Sequence, residues 1–192
     1  LGRLGCVDAA SAIGDCLCSD DPYLVENAAF ALQLLDCRIP EIHGRMIELL
    51  QDPSQNQRVL VQSLAALDVQ DALPAIQNLQ DAEHSGVRGA AISAAVRLGG
   101  PRDLLSALGP LMLRPNQMDR QTAIQDAINA GGQELLPQIL RAPVSPVFRM
   151  RAVRALWPDG AKDFNGLELT DVVDALLQDR PQSLELVHAY DQ

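Results

Sequence analysis

Aromatic residues are scarce in this sequence, which limits the folds that it can form. Phe, Trp and Tyr account for 3% of the 192 residues, whereas 47% of the residues are hydrophobic. Small aliphatic side chains, mainly Ala and Leu, must therefore supply the core. Such a core favours closely packed helices over β-sheets, which are rich in Val, Ile, Thr and aromatic residues. No apolar run approaches the length of a membrane span, so a membrane-embedded protein is not expected.

Lysine is almost absent as well. Lys162 is the only lysine, so nearly all positive charge is carried by Arg, and the formal net charge is -10. An acidic surface repels a phosphate backbone, which argues against nucleic-acid binding. The planar guanidinium group of Arg is suited to binding carboxylates through two parallel hydrogen bonds, although a GC-rich genome produces the same preference for Arg.

Sequence motifs of self-contained enzymes are also missing. The chain has no P-loop and no Gly-x-Gly-x-x-Gly, Gly-x-Ser-x-Gly or His-Glu-x-x-His pattern. Its three histidines lie in separate segments without an evident partner. A hydrolase that carries its own nucleophile and base is therefore not expected, and no cofactor is predicted.

The few cysteines point to a reducing compartment. Cys6, Cys16, Cys18 and Cys37 fall mostly in or beside apolar helical stretches. We therefore expect buried free thiols and a cytoplasmic location. A metal site formed by Cys16, Cys18 and His43 is the alternative, but a single residue between two cysteines is shorter than the usual spacing of metal ligands. No metal is predicted.

The sequence contains an internal repeat. Residues 87–100 align on residues 119–132 without a gap, and both segments end in Gly-Gly. The same pattern recurs around anchor residues at positions 25, 59, 87, 119 and 148. A period of about 30 residues indicates stacked structural repeats.

Prolines mark a second series between the anchors. Ile39-Pro40, Leu73-Pro74 and Leu136-Pro137 recur in apolar stretches, and Leu105-Ser106 fills the remaining place. Proline is tolerated in the first turn of a helix, where its missing N–H would have no partner. The Gly-Gly pairs are typical of helix ends, where Gly adopts the left-handed conformation. Each repeat is therefore predicted to be a helix with Pro near its start, a turn, and a helix of small residues.

The pattern Val87-Arg-Gly-Ala-Ala after an Asp-containing turn resembles the HEAT repeat, and the short period resembles its bilin-lyase variety. The resemblance implies an all-α solenoid of two-helix repeats that winds as a right-handed superhelix, with the small-residue helices on its concave side. About five repeats are expected over residues 1–157. Because the chain starts in the middle of the pattern, we expect it to be the C-terminal, N-terminally truncated part of a longer protein.

The segment from 158 to 192 departs from the repeat and is predicted to form C-terminal capping helices. Lys162–Gly166 is interpreted as a loop and Leu169–Leu177 as a helix. Ser183–Tyr190 is a short amphipathic segment that would close the stack, since the last repeat of a solenoid has no neighbour.

Asp119 stands out because the corresponding residues of the other repeats, Val25, Val59, Val87 and Phe148, are apolar. A carboxylate in such a place needs a partner or a water-accessible groove, since an unpaired buried charge is costly. One interpretation is that Asp119 is the N-cap of its helix, with the register shifted by one residue. The other is that it is a functional acid facing the groove, because a broken local pattern often marks such sites.

Arg88, Arg120 and Arg149 recur directly after the anchor residue. The structural interpretation is a ladder of Asp–Arg pairs between successive repeats. The functional interpretation is a column of guanidinium groups on the concave side that binds carboxylates. Both interpretations stay open, and Arg151 and Arg154 add further charge to the last repeat.

Four larger side chains interrupt the small-aliphatic pattern of the first complete repeat, namely Tyr23, Glu26, Asn27 and Phe30. They are candidates for residues of the groove. Phe30 is the exception, because a large apolar side chain on such a helix is expected in the core.

Three segments, Asp20–Leu32, Asn116–Gln121 and Leu186–Asp191, resemble the phycobilin lyases of the E/F clan, especially the phycoerythrin-type members. The resemblance implies a lyase that attaches a linear tetrapyrrole such as phycoerythrobilin to a cysteine of a phycobiliprotein subunit. Some relatives also isomerise the bilin, and some work with a partner lyase subunit. The attacking thiolate belongs to the substrate protein, which agrees with the missing catalytic motifs.

On this resemblance, Asp119 is expected to exchange a proton with the bilin, and Arg88, Arg120 and Arg149 are expected to bind its two propionates. The other predicted ligand-binding residues are Tyr23, Glu26, Asn27, Met118 and Gln121. The competing hypothesis is a non-enzymatic HEAT-repeat adaptor or chaperone, which would bind a protein partner and no tetrapyrrole.

Overall fold

The computed structural model describes residues 2, 5 and 7–178 of the chain. Within these residues the fold is helical except for one short β-hairpin. The predicted all-α fold of HEAT-like helical repeats is confirmed. Two compact units can be distinguished, residues 1–101 and the chain from Arg102 onward. Cys6, His188 and the predicted closing segment Ser183–Tyr190 lie outside the described residues.

The first unit alternates the two helices of each repeat. Its α-helices are α1 (Ala10–Asp15), α2 (Pro22–Leu34), α3 (Pro40–Leu49), α4 (Gln57–Ala66), α5 (Leu73–Gln77) and α6 (Ser85–Arg97), and its 3₁₀ helices are Val7–Ala9, Cys16–Cys18 and Gln70–Ala72. Helix α2 packs against α4, and α4 packs against α6. Helices α1, α3 and α5 pack against α2, α4 and α6, respectively. This is the arrangement of two-helix repeats that the sequence predicts.

The second unit continues the alternation. Its α-helices are α7 (Leu108–Leu111), α8 (Gln117–Asn129), α9 (Leu136–Arg141), α10 (Pro146–Leu156) and α11 (Leu169–Leu177), its 3₁₀ helices are Arg102–Ala107 and Gln133–Leu135, and its strands are β1 (Asp163–Phe164) and β2 (Leu167–Glu168). Helix α8 packs against α7 and α10, and α10 also packs against α9 and α11. The bounds of α11 are those predicted from the sequence.

Proline begins the helices where the sequence predicts it. Pro40 is the first residue of α3, and Pro74 and Pro137 lie in the first turns of α5 and α9. The fixed φ of Pro is already helical, and its missing N–H would have no partner in a first turn. The place predicted at Leu105-Ser106 is occupied by the 3₁₀ helix Arg102–Ala107, which precedes α7.

The small-residue helices end in the same way in four repeats. The residue after the C-cap adopts a positive φ, of 90° at Gly99 and 61° at Gly131, and of 49° at Asp36 and 55° at Asp68. The next N–H then donates to a carbonyl five residues back, as in a Schellman motif. These bonds are Cys37 N to Leu32 O, Val69 N to Leu64 O, Gly100 N to Ala95 O and Gly132 N to Ala127 O, between 2.8 and 3.1 Å long.

These helix ends correct the predicted repeat register. The four accepting carbonyls, those of Leu32, Leu64, Ala95 and Ala127, are almost evenly spaced along the chain, whereas the predicted anchors are not. In this register Val87 and Asp119 correspond to Leu24 and Asn56. The predicted anchors at Val25 and Val59 are therefore wrong by one and by three positions.

The error in the predicted register comes from aligning valines. Helix α4 begins with polar Gln57, so a match between Val25 and Val59 shifts this helix relative to its neighbours. In the corrected register the buried side chains coincide: Ala28, Ala29 and Leu32 of α2 match Leu60, Val61 and Leu64 of α4.

Two expectations about the core were wrong. Phe30 is 42% exposed, because the buried face of α2 is formed by small residues and Leu32 and leaves Phe30 outside it. The three cysteines among the described residues are free thiols of different exposure, since Cys37 is buried, Cys16 is half-buried and Cys18 is exposed. Of these three, full burial is confirmed for Cys37.

The segment predicted as a loop, Lys162–Gly166, contributes to a β-hairpin. Strands β1 and β2 pair antiparallel around Asn165 and Gly166, whose φ values are 52° and 77°. Two successive positive φ angles are typical of a type I′ turn, for which Asn-Gly is the preferred sequence. The ring of Phe164 in β1 lies edge-on to Trp157, with ring centroids 6.1 Å apart.

Candidate functional site

The three recurrent arginines donate hydrogen bonds to backbone carbonyls that precede their own helices. Arg88 Nε lies 3.0 Å from Ala82 O, and Arg149 Nη1 lies 3.4 Å from Leu140 O. Arg120 Nη1 lies 2.7 Å from the carbonyl oxygens of both Arg114 and Pro115. In the corrected register Gln57 is the counterpart in α4, and its Nε2 lies 2.9 Å from Leu50 O.

A shared side chain-to-carbonyl contact explains why this position recurs. The acceptors of Gln57 and Arg149 lie at the ends of α3 and α9, whose last carbonyls have no partner within the helix. The acceptors of Arg88 and Arg120 lie in the loops before α6 and α8, so in each case a side-chain donor satisfies a carbonyl of the preceding turn. Arg149 is only 3% exposed, whereas Arg88 and Arg120 are half-buried. The arrangement favours a structural role in the turn of each repeat. A contact of these arginines with a ligand stays a prediction.

Asp119 lies in the first turn of α8 and is not its N-cap. Asn116 is the N-cap, and its Oδ1 accepts a hydrogen bond of 2.8 Å from Met118 N. The N-cap interpretation of Asp119 is therefore wrong. Asp119 Oδ2 instead accepts a hydrogen bond of 3.0 Å from Arg114 Nε, and its side chain is 21% exposed. A carboxylate in the first turn also interacts favourably with the helix dipole.

The turn before α8 therefore brings opposite charges and apolar surface together. Met118 is 66% exposed, Leu113 is exposed as well, and Gln121 is half-buried. Arg114, which the sequence analysis did not select, holds the carboxylate of Asp119. The sequence feature that could have identified Arg114 is an Arg five residues before an Asp, across a Pro-containing turn. Such a site can hold an amphipathic ligand next to a carboxylate.

In the first unit, four side chains form an exposed stripe on α2. Tyr23, Asn27, Phe30 and Leu34 are spaced as on one helical face, and all four are exposed. Asn27 Nδ2 donates to Tyr23 O at 2.6 Å, and Glu26 is half-buried. Arg88 also belongs to this unit. The other predicted site residues, Met118, Asp119, Arg120, Gln121 and Arg149, belong to the second unit.

An ion pair connects consecutive repeats within the second unit. Arg102 Nε lies 3.1 Å from Glu134 Oε1, and Arg102 Nη2 lies 2.8 Å from Glu134 Oε2 and 2.9 Å from Gly131 O. Partial burial by itself raises the pKa of Glu134, but the hydrogen bonds and positive charge of Arg102 outweigh it, and the pKa is lowered overall. In the first unit, Arg38 Nη1 makes a similar contact of 2.6 Å with Leu67 O.

The described residues do not assemble a metal site or a membrane-spanning helix. No group of three or more His, Cys, Asp and Glu side chains among them is placed to hold a metal ion. His43 Nε2 lies 2.8 Å from the backbone oxygen of Cys37. In the same part of the chain, every helix is too short or too polar to cross a bilayer.

Comparison with known sequences agrees with the repeat architecture. Residues 45–129 match the family described as HEAT repeats. Together with the helix pairs described above, this match decides the fold. The described residues have the fold of HEAT-like helical repeats. A solved structure supports the same fold: the complex of CpcE and CpcF of phycocyanin lyase from Nostoc sp. PCC7120 matches this chain with a TM-score of 0.73 and 23% identity, over 94% of this chain and 71% of that one.

Two curated proteins are similar over the full length of this chain. The bilin biosynthesis protein CpeY of Synechococcus sp. (strain WH8020) is 40% identical over 192 residues. The uncharacterized phycocyanin operon protein Y of Pseudanabaena tenuis (strain PCC 7409) is 34% identical over 194 residues. The predicted resemblance to the bilin lyases is confirmed. The chain covers 46% of each relative, so it spans about half of their length.

Proposed function

We propose that the protein to which this chain belongs is a phycobilin lyase. It attaches a linear tetrapyrrole to a cysteine of a phycobiliprotein subunit. The observation that carries the proposal is the 40% identity to a bilin biosynthesis protein, which extends over all 192 residues. Because the chain spans about half of that relative, the activity is proposed for the whole protein, to which this chain contributes HEAT repeats.

The chemistry requires little from the lyase itself. The thiol of the subunit adds across a carbon–carbon double bond of the bilin, so one C–S bond forms and the thiol proton ends on the neighbouring carbon. No group leaves and no oxidant is consumed. A lyase therefore accelerates the reaction by holding bilin and thiol together and by assisting the proton transfer. A surface of helical repeats that positions two reactants suits this role.

Asp119 is the group that we assign to the proton transfer. Its carboxylate is partly exposed, and Arg114 fixes its orientation through a 3.0 Å hydrogen bond. Met118 next to it offers exposed apolar surface to the tetrapyrrole rings. Arg120 supports the same turn from inside through its bonds to the carbonyls of Arg114 and Pro115.

Replacing Asp119 tests this assignment. The Asp119→Asn variant keeps the shape of the side chain but cannot exchange a proton, so bilin attachment should slow by about 10²- to 10⁴-fold. The rate is measured with the full-length protein, phycoerythrobilin and the subunit, and circular dichroism checks that helicity is retained. The matched control is Asp103→Asn, since Asp103 is an exposed carboxylate in the same unit. Attachment at the wild-type rate by Asp119→Asn would remove Asp119 from the mechanism.

The finer parts of the proposal concern the substrate and the partners. We assign phycoerythrobilin as the bilin, with isomerisation during attachment as a further step, and the absorbance of the subunit-bound product distinguishes these outcomes. The solved neighbour is a complex of two proteins, CpcE and CpcF, which supports a partner lyase subunit.

A HEAT-repeat adaptor is the competing function, since these repeats also serve as protein-binding scaffolds. The exposed stripe of Tyr23, Asn27, Phe30 and Leu34 on α2 is the observation in its favour. An absorbance titration of the full-length protein with phycoerythrobilin separates the two functions. A lyase shifts the bilin absorbance on binding, whereas an adaptor leaves it unchanged and binds only its protein partner.

A further inference from the structure

Positive charge is concentrated in one part of this acidic chain. Residues 135–158 contain Arg141, Arg149, Arg151 and Arg154 and no Asp or Glu, although the whole chain carries a formal net charge of -10. This segment includes α9 and α10. A local excess of cations on an acidic protein attracts anionic groups to that place in particular.

Helix α10 separates its arginines into a buried one and two exposed ones. Arg149 is 3% exposed and donates to Leu140 O, so it supports the fold. Arg151 and Arg154 are exposed, and so is Val147, at 75%. Residues spaced by four and three positions lie on one side of a helix, so Val147, Arg151 and Arg154 share a face. This face is cationic at one end and apolar at the other.

Helix α8, which packs against α10, continues the same surface. The buried residues Ala123 and Ile124 of α8 correspond to the buried Ala152 and Val153 of α10. In the same register Met118 is the counterpart of Val147. The apolar side chains of both are largely exposed.

The carboxylates of α8 do not compete for the two exposed arginines. Thr122 and Gln125 are the counterparts of Arg151 and Arg154, and both are half-buried and uncharged. Asp126 is buried, and Asp119 is held by Arg114. The positions of α8 that match Arg151 and Arg154 therefore carry no negative charge.

We propose that Arg151 and Arg154 bind the two propionate groups of the bilin, while Val147 and Met118 contact its apolar rings. The proposal rests on the lyase function proposed above and names the part of the surface that recognises the substrate. Arginines three positions apart on a helix have Cβ atoms about 5–6 Å apart, which suits two carboxylates carried on neighbouring rings. Each guanidinium can bind a carboxylate through two hydrogen bonds.

The geometry favours this pair over the arginines that the sequence pattern selects. Arg88 and Arg120 already donate to backbone carbonyls and are half-buried, and Arg149 is buried. Arg151 and Arg154 are exposed on a face that also offers apolar contact. A linear tetrapyrrole with two carboxylates matches both properties, whereas a purely anionic ligand would make no use of the apolar side chains.

The test compares the free acid of phycoerythrobilin with its dimethyl ester, which has the same rings and no carboxylate charge. Both are titrated by absorbance into the full-length protein, the R151Q/R154Q variant and an R45Q control, since Arg45 is an exposed arginine on α3. We expect R151Q/R154Q to weaken binding of the free acid by about 10- to 100-fold and to leave binding of the ester unchanged. The R45Q variant should bind both forms like the wild type.

The outcomes separate the two levels of the proposal. If the wild-type protein binds the bilin and R151Q/R154Q binds the free acid equally well, the assignment of these arginines is overturned and the lyase function stands. An equal loss for acid and ester, or a loss only in binding of the phycobiliprotein subunit, also overturns it. If the wild-type protein binds neither form of the bilin, the lyase function fails, and the assignment fails with it.

Discussion

The paired side chains of Arg102 and Glu134 give the folded chain a pH-dependent contact between repeats. The pKa of Glu134 is lowered from its ordinary value of 4.5, so the folded state binds this proton less readily than the unfolded chain. The stabilisation is therefore complete at neutral pH and is lost as the pH falls through the lowered pKa. Because both side chains are roughly half-exposed, solvent screens the pair and keeps its contribution small.

The Glu134→Gln variant measures this contribution. We expect it to lower the free energy of unfolding by about 0.5–1 kcal/mol at neutral pH, since it removes an ion pair with two hydrogen bonds. The difference from the wild type should shrink once the pH is well below 4.5, where Glu134 of the wild type is protonated as well. Urea unfolding at several pH values provides the measurement. Glu83→Gln, at an exposed position outside the helices, is the control. A difference that does not change with pH would contradict the ionic origin of the effect.

Side-chain partners of this kind were only partly predictable from the sequence. The recurrence of Arg88, Arg120 and Arg149 identified a special position, but their hydrogen bonds to backbone carbonyls could not be predicted, since a carbonyl acceptor leaves no residue pattern. The partner of Asp119 was missed because Arg114 lies on the other side of a turn. Sequence spacing shows which positions are equivalent, whereas the acceptor depends on how the turn folds.

The ends of the helices were also only partly predictable from the sequence. The Gly-Gly pairs predicted the ends of α6 and α8, because Gly adopts a positive φ at little cost. Asp36 and Asp68 adopt the same conformation at the ends of α2 and α4, where no Gly gives a signal. Conversely, Asn165-Gly166 is a strong hairpin signal that the sequence analysis passed over. Lys162–Gly166 was interpreted as a loop, without pairing of the residues on either side of the turn.

Two glycines allow one substitution to be tested in opposite contexts. Gly99 ends α6 with a φ of 90°, and Gly44 lies inside α3, and a Cβ added at either would have no heavy atom within 4 Å. Gly99→Ala should therefore destabilise the chain by about 1–2 kcal/mol through backbone strain alone. Gly44→Ala should stabilise it by about 0.5–1 kcal/mol, because Ala is a better helix former.

Thermal and urea unfolding of both variants measure whether each substitution raises or lowers the stability of the fold. Circular dichroism in the absence of denaturant checks that the helical content is unchanged. Since neither substitution introduces a clash, unchanged or increased stability in Gly99→Ala would mean that the backbone conformation at Gly99 does not control the stability of this helix end. A loss of stability in Gly44→Ala would contradict the argument from helix propensity.

For the molecule as a whole, periodicity predicted the architecture but not which individual side chains are exposed. The repeats are visible because small buried residues recur at almost equal intervals along the chain, as packing between neighbouring helices requires. The repeat period does not predict which individual side chains are exposed. Arg149 and Arg151 are both arginines of α10, yet the first is buried and the second is exposed. A site on a repeat protein depends on this difference, which only the packed structure shows.

The repeat architecture also determines how far along the chain a destabilising substitution has an effect. Arg149 is buried in the second unit and donates to Leu140 O, so Arg149→Ala removes buried packing and a charged donor. We expect a loss of about 2–4 kcal/mol. Arg151→Ala, two residues away on the exposed face, should change stability by less than about 0.5 kcal/mol. In a repeat protein each repeat contacts only its neighbours, so the loss should be local.

Amide hydrogen exchange of the full-length protein resolves where protection is lost. In Arg149→Ala, protection should fall first in α8, α9 and α10 and stay near the wild-type level in α2 and α4, which belong to the other compact unit. Arg151→Ala should leave both regions unchanged. If α2 and α4 lost protection to the same extent as α10, the HEAT repeats would unfold as one cooperative body. Stability would then not be a sum over neighbouring repeats, and substitutions at the proposed bilin-binding face would have to be checked for effects along the whole chain.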